Sequence, residues 1–218
     1  MGKLIVIEGL DGSGKGTQSE LLFDYLNNKY KKIRKLTFPN YESESSAAVK
    51  MYLDGKLSGN PMDINAYAAS SFFAVDRYIS FVTDWKKDYD EGCVFLADRY
   101  TTSNAVYQVG KAENKEEYLN WVWDYEYNKL GLPSPDLVIY LDMDPKVSAE
   151  LLMKRYKGND DKKDIHERNL EYLNMCRENA MTVAKNNNWK IVKCSDDKAP
   201  FSIEDIFKEI LRIVEETL

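Results

Sequence analysis

Histidine occurs once in this 218-residue chain, at His166, which excludes poly-histidine metal sites and any mechanism that needs two imidazoles. Cysteine is nearly as scarce. Cys93, Cys176 and Cys194 stand far apart with no CxxC pair, so neither a zinc site nor a disulfide framework is indicated, and a reducing compartment fits. Long hydrophobic runs are missing. The N-terminal run Leu4-Ile5-Val6-Ile7 stops at Glu8, too short for a secretory core, and no stretch approaches the roughly 20 residues of a membrane span. Met1-Gly2 is followed by Val6 at the sixth position, where myristoylation requires Ser or Thr. A cationic excess is missing too. Against 36 Asp and Glu there are 30 Lys and Arg, a formal net charge of −6, which speaks against non-specific binding to nucleic acid or to an acidic membrane. No repeat, low-complexity tract or linker interrupts the chain, and the expected location is the cytoplasm.

What is present is a globular composition, 44% hydrophobic and 30% charged. Size scaling for this mass gives a folded surface of about 10,000 Å² against about 36,000 Å² unfolded, enough burial for one large core without staples. Five short apolar runs lack polar alternation: Lys3–Glu8, Ile33–Phe38, Cys93–Asp98, Leu137–Asp142 and Trp189–Cys194. Each reads as a strand covered on both faces, and together they predict a parallel sheet. Helical stripes lie between them. Leu21, Leu22, Tyr25 and Leu26 form one. Phe72, Val75, Ile79 and Val82 predict a long helix from about Asn65 to Lys86, and Ile203 to Val214 mark the last helix. Strands alternating with helices predict an α/β doubly wound sheet.

The sharpest motif is Gly9-Leu10-Asp11-Gly12-Ser13-Gly14-Lys15-Gly16-Thr17. It follows a buried strand and opens a helix, the setting of a phosphate-binding loop. Its glycines let consecutive N–H groups curl around a phosphate chain, the helix N-terminus adds partial positive charge, and Lys15 reaches the β- and γ-phosphates. The Ser or Thr that normally follows the lysine and meets Mg²⁺ is replaced by Gly16, with the hydroxyl one residue later at Thr17. This GKGT form resembles the adenylate-kinase branch of the nucleoside monophosphate kinases. It implies ATP as donor and a Mg²⁺ held through water or by carboxylates elsewhere. Two strands end in a carboxylate, at Asp98 and Asp142. Asp98 is favoured as the metal-side ligand because Arg99 puts a cation at the same sheet edge, beyond which ligands of such folds bind.

Further residues resemble the thymidylate kinase family over nearly the whole chain: Glu8 to Lys15, Phe38-Pro39-Asn40-Tyr41, Phe73-Ala74-Val75-Asp76-Arg77, Asp98-Arg99-Tyr100, Ser103-Asn104 and Tyr107-Gln108. The resemblance implies one P-loop kinase domain over 1–218, three-layered, with a five-stranded parallel sheet between helices and a short lid at about 154–165. It implies phosphoryl transfer from ATP·Mg²⁺ to dTMP. Phe73 and Arg77, four apart on one helix face, would stack on and donate to the thymine, with Asn104 and Gln108 beside them. Tyr107 would crowd the sugar C2′, Asp11 would accept from its 3′-OH, and Phe38-Pro39, through a cis peptide, would shape the acceptor-phosphate site. Arg99 would grip that phosphate as a planar fork. The charged segment Lys154–Asp164 falls at the family's lid, with Arg155 the chief closing cation, Lys157, Lys162 and Lys163 lesser ones, and Glu167 at the Mg²⁺ shell. His166 reads as structural. A homodimer is implied, with Tyr78, Phe81, Trp121 and Trp123 as interface or core. The rival expectations are a kinase for another nucleoside monophosphate or a deoxynucleoside, and a nucleotide-binding switch without turnover. A GTPase is disfavoured because Asn128-Lys129-Leu130-Gly131 lacks the aspartate of a guanine-reading tetrad.

Overall fold

The computed structural model describes residues 1–159 and 163–217. Its centre is a five-stranded parallel sheet built from β1 (Lys3–Gly9), β2 (Ile33–Thr37), β3 (Val94–Asp98), β4 (Leu137–Asp142) and β5 (Lys190–Lys193), in the order β2-β3-β1-β4-β5. The side chains of successive residues leave opposite faces. Ile5, Ile7, Leu96, Ile139 and Leu141 therefore point to one layer, where they meet Leu22 and Leu26 of α1 (Lys15–Lys29) and Ile210 and Val214 of α9 (Ile203–Thr217). Leu4, Val6, Phe95, Ala97 and Val138 point to the other, against Phe81, Trp85 and Tyr100. Ile139 is fully enclosed on the central strand pair. Ile139→Ala should lower unfolding free energy by about 3 kcal/mol in urea titrations, the cost of lost burial plus the cavity left behind. A loss under about 1 kcal/mol would mean that the layer re-packs freely.

The remaining helices are α2 (Ala47–Leu53), α3 (Ala66–Ser80), α4 (Lys86–Asp90), α5 (Thr102–Tyr107), α6 (Lys115–Trp123), α7 (Pro145–Arg155) and α8 (Leu170–Asn186). Four expectations change. The helix expected over Asn65–Lys86 ends its α-form at Ser80, passes through a π-helical turn at Phe81–Trp85 and continues as α4. The widened turn carries Phe81 and Trp85, 4.5 Å apart between ring centroids, onto the sheet face at Phe95. The stripe Val75, Ile79 and Val82 then faces solvent with Tyr78, while Ser70, Ala74, Asp76 and Arg77 are buried. Apolar periodicity named the helix correctly and its buried face wrongly, because the polar groups on that face find partners elsewhere: Ser70 meets Tyr118, Asp76 accepts from Asn40 N–H and Ser45, and Arg77 pairs with Glu126. Finally, Lys154 and Arg155 belong to the last turn of α7 rather than to a loop, so the irregular stretch starts at Tyr156. Lys162 lies outside the described residues. Phe38 also falls just past β2, although its N–H still donates to the Asp98 carbonyl at 3.1 Å.

Candidate active site

The loop between β1 and α1 is shaped by its glycines. Gly12 sits at φ 78, and a Cβ there would lie 2.7 Å from the Ser148 carbonyl of α7. Gly14 caps α1 at φ 86. Both conformations are open to glycine and strained for other residues. The turn leaves Ser13 Oγ buried with no hydrogen-bond partner among the described residues. Lys15 Nζ donates to the Leu10 carbonyl at 2.8 Å. Burial, helped by Arg99, holds the Lys15 ammonium below its ordinary pKa despite Asp11, Asp98 and Glu8 nearby. Gly9 and Glu8 close the strand end, and Gly16 and Thr17 are exposed on the first turn of α1. This loop, Asp98, Arg99 and Arg155 line one open cleft. Asp98 is thereby separated from the other strand-end carboxylate. Asp142 is held by Arg177, Nε to Oδ1 at 2.7 Å, and does not line the cleft.

A second cavity adjoins the cleft. Asp11, Phe38, Pro39, Tyr41 and Arg99 line both and form the partition. The Phe38-Pro39 peptide is cis. Arg99 follows β3 in a left-handed conformation, φ 68, rare for a side-chain-bearing residue and common at functional turns. That turn aims its guanidinium across the sheet end. Nη2 donates to Asp11 Oδ1 at 2.5 Å and to Tyr107 Oη at 3.1 Å, and Nη1 donates to the Gly9 carbonyl at 3.1 Å and Glu8 Oε1 at 3.3 Å. Tyr107 Oη in turn donates to Asp11 Oδ2 at 3.0 Å. Burial alone would raise the Asp11 pKa, but Arg99 and Lys15 outweigh it and bring it well below the usual carboxylate range.

The far wall of the cavity holds Phe73, Arg77, Asn104 and Gln108. Phe73 and Arg77 share one face of α3 as their spacing predicts, Asn104 comes from α5, and Gln108 follows directly after α5. Gln108 Oε1 is buried without a partner among the described residues. His166 completes the lining. Its ring stacks on Tyr107 at 5.2 Å, and Nε2 meets Tyr52 Oη at 2.8 Å. Burial lowers its pKa to about 3, so the imidazole is neutral at physiological pH. Asp164 beside it is pushed up to about 7 by burial and by Asp11. Glu167 is not brought to either cavity. Its oxygens accept from Tyr156 Oη at 3.0 and 3.1 Å, and Oε2 also accepts from the Asp164 N–H at 3.1 Å, which ties the end of α7 to the turn at Asp164. Arg155 projects from the last turn of α7 with its guanidinium 5.9 Å from the Tyr156 ring centroid, and Lys157 is exposed.

Two functional groups escaped the sequence reading. Glu8, fully buried, accepts from the Gly9 N–H, from Arg99, and at Oε2 from Thr102 and Ser103 hydroxyls at 2.8 Å each. Its signal was a carboxylate closing an apolar strand. Glu126, on a π-helical stretch at Asp124–Lys129, accepts from Arg77 at both oxygens, and no sequence pattern marked it.

A phosphate-binding loop, a second cavity and an arginine set between them define a P-loop protein with a two-part cleft. The chain belongs to the thymidylate kinase family, whose model matches residues 7–210. It is 32% identical over 148 residues to a thymidylate kinase of Schizosaccharomyces pombe, covering 68% of this chain and 64% of that protein. It is 33% identical over 161 residues to a thymidylate kinase of Mycobacterium tuberculosis, covering 71% of each. The chain spans 60% and 63% of the length of two further curated relatives. Among solved structures, a thymidylate kinase from Candida albicans superposes with a TM-score of 0.69 at 22% identity, covering 99% of this chain and 92% of that one. That likeness extends the parallel-sheet P-loop architecture to the full chain.

Proposed function

We propose that this chain transfers the γ-phosphoryl group of ATP to dTMP, giving dTDP and ADP. The observation that carries the reading is the paired lining of Arg77 and Asn104 across one partition from the P-loop cleft. A pyrimidine-2,4-dione presents an acceptor, O4, beside a donor, N3–H. A guanidinium and an amide oxygen complement that edge. Phe73 would stack on the ring, Gln108 would add a polar contact, Tyr107 would crowd C2′, and Asp11 would accept from the 3′-OH. A phosphate monoester is largely ionised near neutral pH, its second pKa being about 6, so the attacking oxygen requires no general base. This suits a site whose single imidazole is neutral and already bonded to Tyr52. Catalysis then rests on in-line placement and charge neutralisation by Lys15, Arg99 and Arg155.

The cleft fits Mg²⁺ held mainly by phosphates and water. Asp98 offers one carboxylate there, and no group of three His, Cys, Asp or Glu among the described residues forms a protein cage. The ion would neutralise charge on the β- and γ-phosphates when bound. The rest of the reading is one catalytic domain whose lid starts at Tyr156 and a homodimer joined through the exposed apolar face Val75, Tyr78, Ile79 and Val82 of α3 and its π turn. No described helix is long and apolar enough to cross a membrane, and all three cysteines are free and buried, which supports a cytoplasmic location.

The test is steady-state ADP release with dTMP, dUMP, dCMP and AMP. The expected order is dTMP first, dUMP lower for want of the methyl group, and dCMP and AMP at least about tenfold below dTMP. Cytosine would set its amino donor against Arg77, and an unpaired buried donor costs about 1–3 kcal/mol. AMP as best acceptor would overturn the substrate while leaving a P-loop kinase.

A further inference from the structure

We propose that Glu126 is a positioning residue that fixes the amide orientation of Asn104 and thereby makes the base site select a 4-oxo pyrimidine over a 4-amino one. The inference rests on the dTMP reading above and adds what decides its base choice.

Glu126 does not line the cavity. It lies behind the wall, 1% exposed, and acts through two residues that do line it. Its Oε2 accepts from Arg77 Nε at 2.7 Å, and Oε1 accepts from Arg77 Nη2 at 2.7 Å. A carboxylate that merely balanced a buried arginine would be satisfied by that fork. Here Oε1 also accepts from Asn104 Nδ2 at 2.8 Å, and the second hydrogen of that amide goes to the Ser70 carbonyl at 3.2 Å. Both amide hydrogens are thus consumed behind the wall. Turning the amide over would press Oδ1 against a carboxylate oxygen and a carbonyl oxygen at once, with no proton between either pair. Oδ1 is therefore left as the group Asn104 offers to the cavity. The backbone of Asn104 is held as well, because its carbonyl accepts from Tyr118 Oη, which also meets Ser70 Oγ.

The same carboxylate fixes the neighbouring donor. With Nε and Nη2 of Arg77 engaged, Nη1 is the guanidinium nitrogen left for a ligand. One buried carboxylate thus sets a donor beside an acceptor, in the order that O4 and N3–H of thymine or uracil require. Cytosine carries the reverse order, N4–H₂ beside a bare N3. Asn104 alone could serve either pyrimidine, since an amide flip exchanges its donor for its acceptor.

The experiment is steady-state ADP release with dTMP, dUMP and dCMP for the wild-type chain, Glu126→Gln and Glu126→Asp. The first variant is isosteric and uncharged. The second keeps the buried charge but withdraws it by one methylene, so that it cannot reach both partners. For Glu126→Gln, KM for dTMP should rise at least tenfold, with kcat and the KM for ATP within threefold of wild type. The dUMP-to-dCMP ratio of kcat/KM should fall at least fivefold, and Glu126→Asp should move it in the same direction. A ratio within twofold of wild type in a folded variant, or a parallel loss on both acceptors, would overturn the inference. Failure of both variants to fold would overturn it too, by assigning Glu126 to the core instead. A wild-type chain that uses neither dTMP nor dUMP would reject the activity reading itself, an outcome distinct from intact activity with unmoved selectivity.

Discussion

Lys15→Ala should lower turnover at least about a hundredfold while leaving the fold intact. The magnitude follows from what the ammonium would do. In the structure it is enclosed at the mouth of the loop, 2.8 Å from the Leu10 carbonyl, and burial has already lowered its pKa. A desolvated charge set in place beforehand stabilises developing negative charge more than one that must shed water during the reaction. Removing one such donor from a preorganised site costs about 2.7–4 kcal/mol of transition-state stabilisation, a factor of about 10² to 10³. The loss should fall on kcat more than on the KM for ATP, because charge between the β- and γ-phosphates grows along the reaction coordinate. Stability should change little. The loop keeps its turn through Gly12 and Gly14, and the variant sheds a buried charge rather than stranding one. Steady-state ADP release paired with a thermal melt checks both halves. Turnover within a few-fold of wild type would remove Lys15 from the phosphate role.

That loop was legible in the sequence because its residue types encode backbone geometry directly. Glycine spacing, a preceding apolar strand and a following helix are local facts. The sheet was legible for a related reason, since strands buried on both faces cannot alternate with polar residues. The inward face of α3 was not. Its turns point Ser70 and Arg77 inward and Val75, Tyr78 and Ile79 outward, against hydrophobic expectation. Burial there follows from hydrogen bonds to residues remote in sequence, Ser70 to Tyr118 and Arg77 to Glu126. Glu126 illustrates the limit most clearly. In the sequence it is one acid among Trp121, Trp123, Tyr125 and Tyr127, and its partners are 22 and 49 positions away. Asp98 and Asp142 end the two strands that flank β1, and beyond the hint of Arg99 next to Asp98 it is Arg177, remote in sequence, that separates them by pairing with Asp142 and not with Asp98.

Arg99→Ala should be more damaging than loss of Lys15, and its damage should be visible in two independent measurements. Turnover should fall at least about a thousandfold, the scale on which an arginine that neutralises a transferring phosphoryl group acts. Stability should fall as well, because two carboxylates lose their cation. Glu8 is fully buried, and its remaining donors, the Gly9 N–H and the Thr102 and Ser103 hydroxyls, hold the loss to the lower end of the range for broken buried pairs, about 3 kcal/mol. For a domain of this size that is roughly 6–12 °C in Tm. The second carboxylate gives the loss a pH signature. Asp11 titrates below its ordinary value of 3.8 because Arg99 and Lys15 outweigh the effect of burial. A depressed carboxylate contributes stability above its unfolded pKa and loses it as pH falls through the folded one. Without Arg99, burial acts on Asp11 with less opposition and its folded pKa rises, so its contribution is already missing at neutral pH. The gap in Tm between wild type and Arg99→Ala should therefore be widest near pH 7 and should narrow as pH drops below about 4, where wild type forfeits the same term. Melts between pH 3 and pH 8 measure that gap. A deficit that stays constant across this range would show that Arg99 acts through packing and not through charge, and turnover within tenfold of wild type would take it out of the phosphoryl-transfer site.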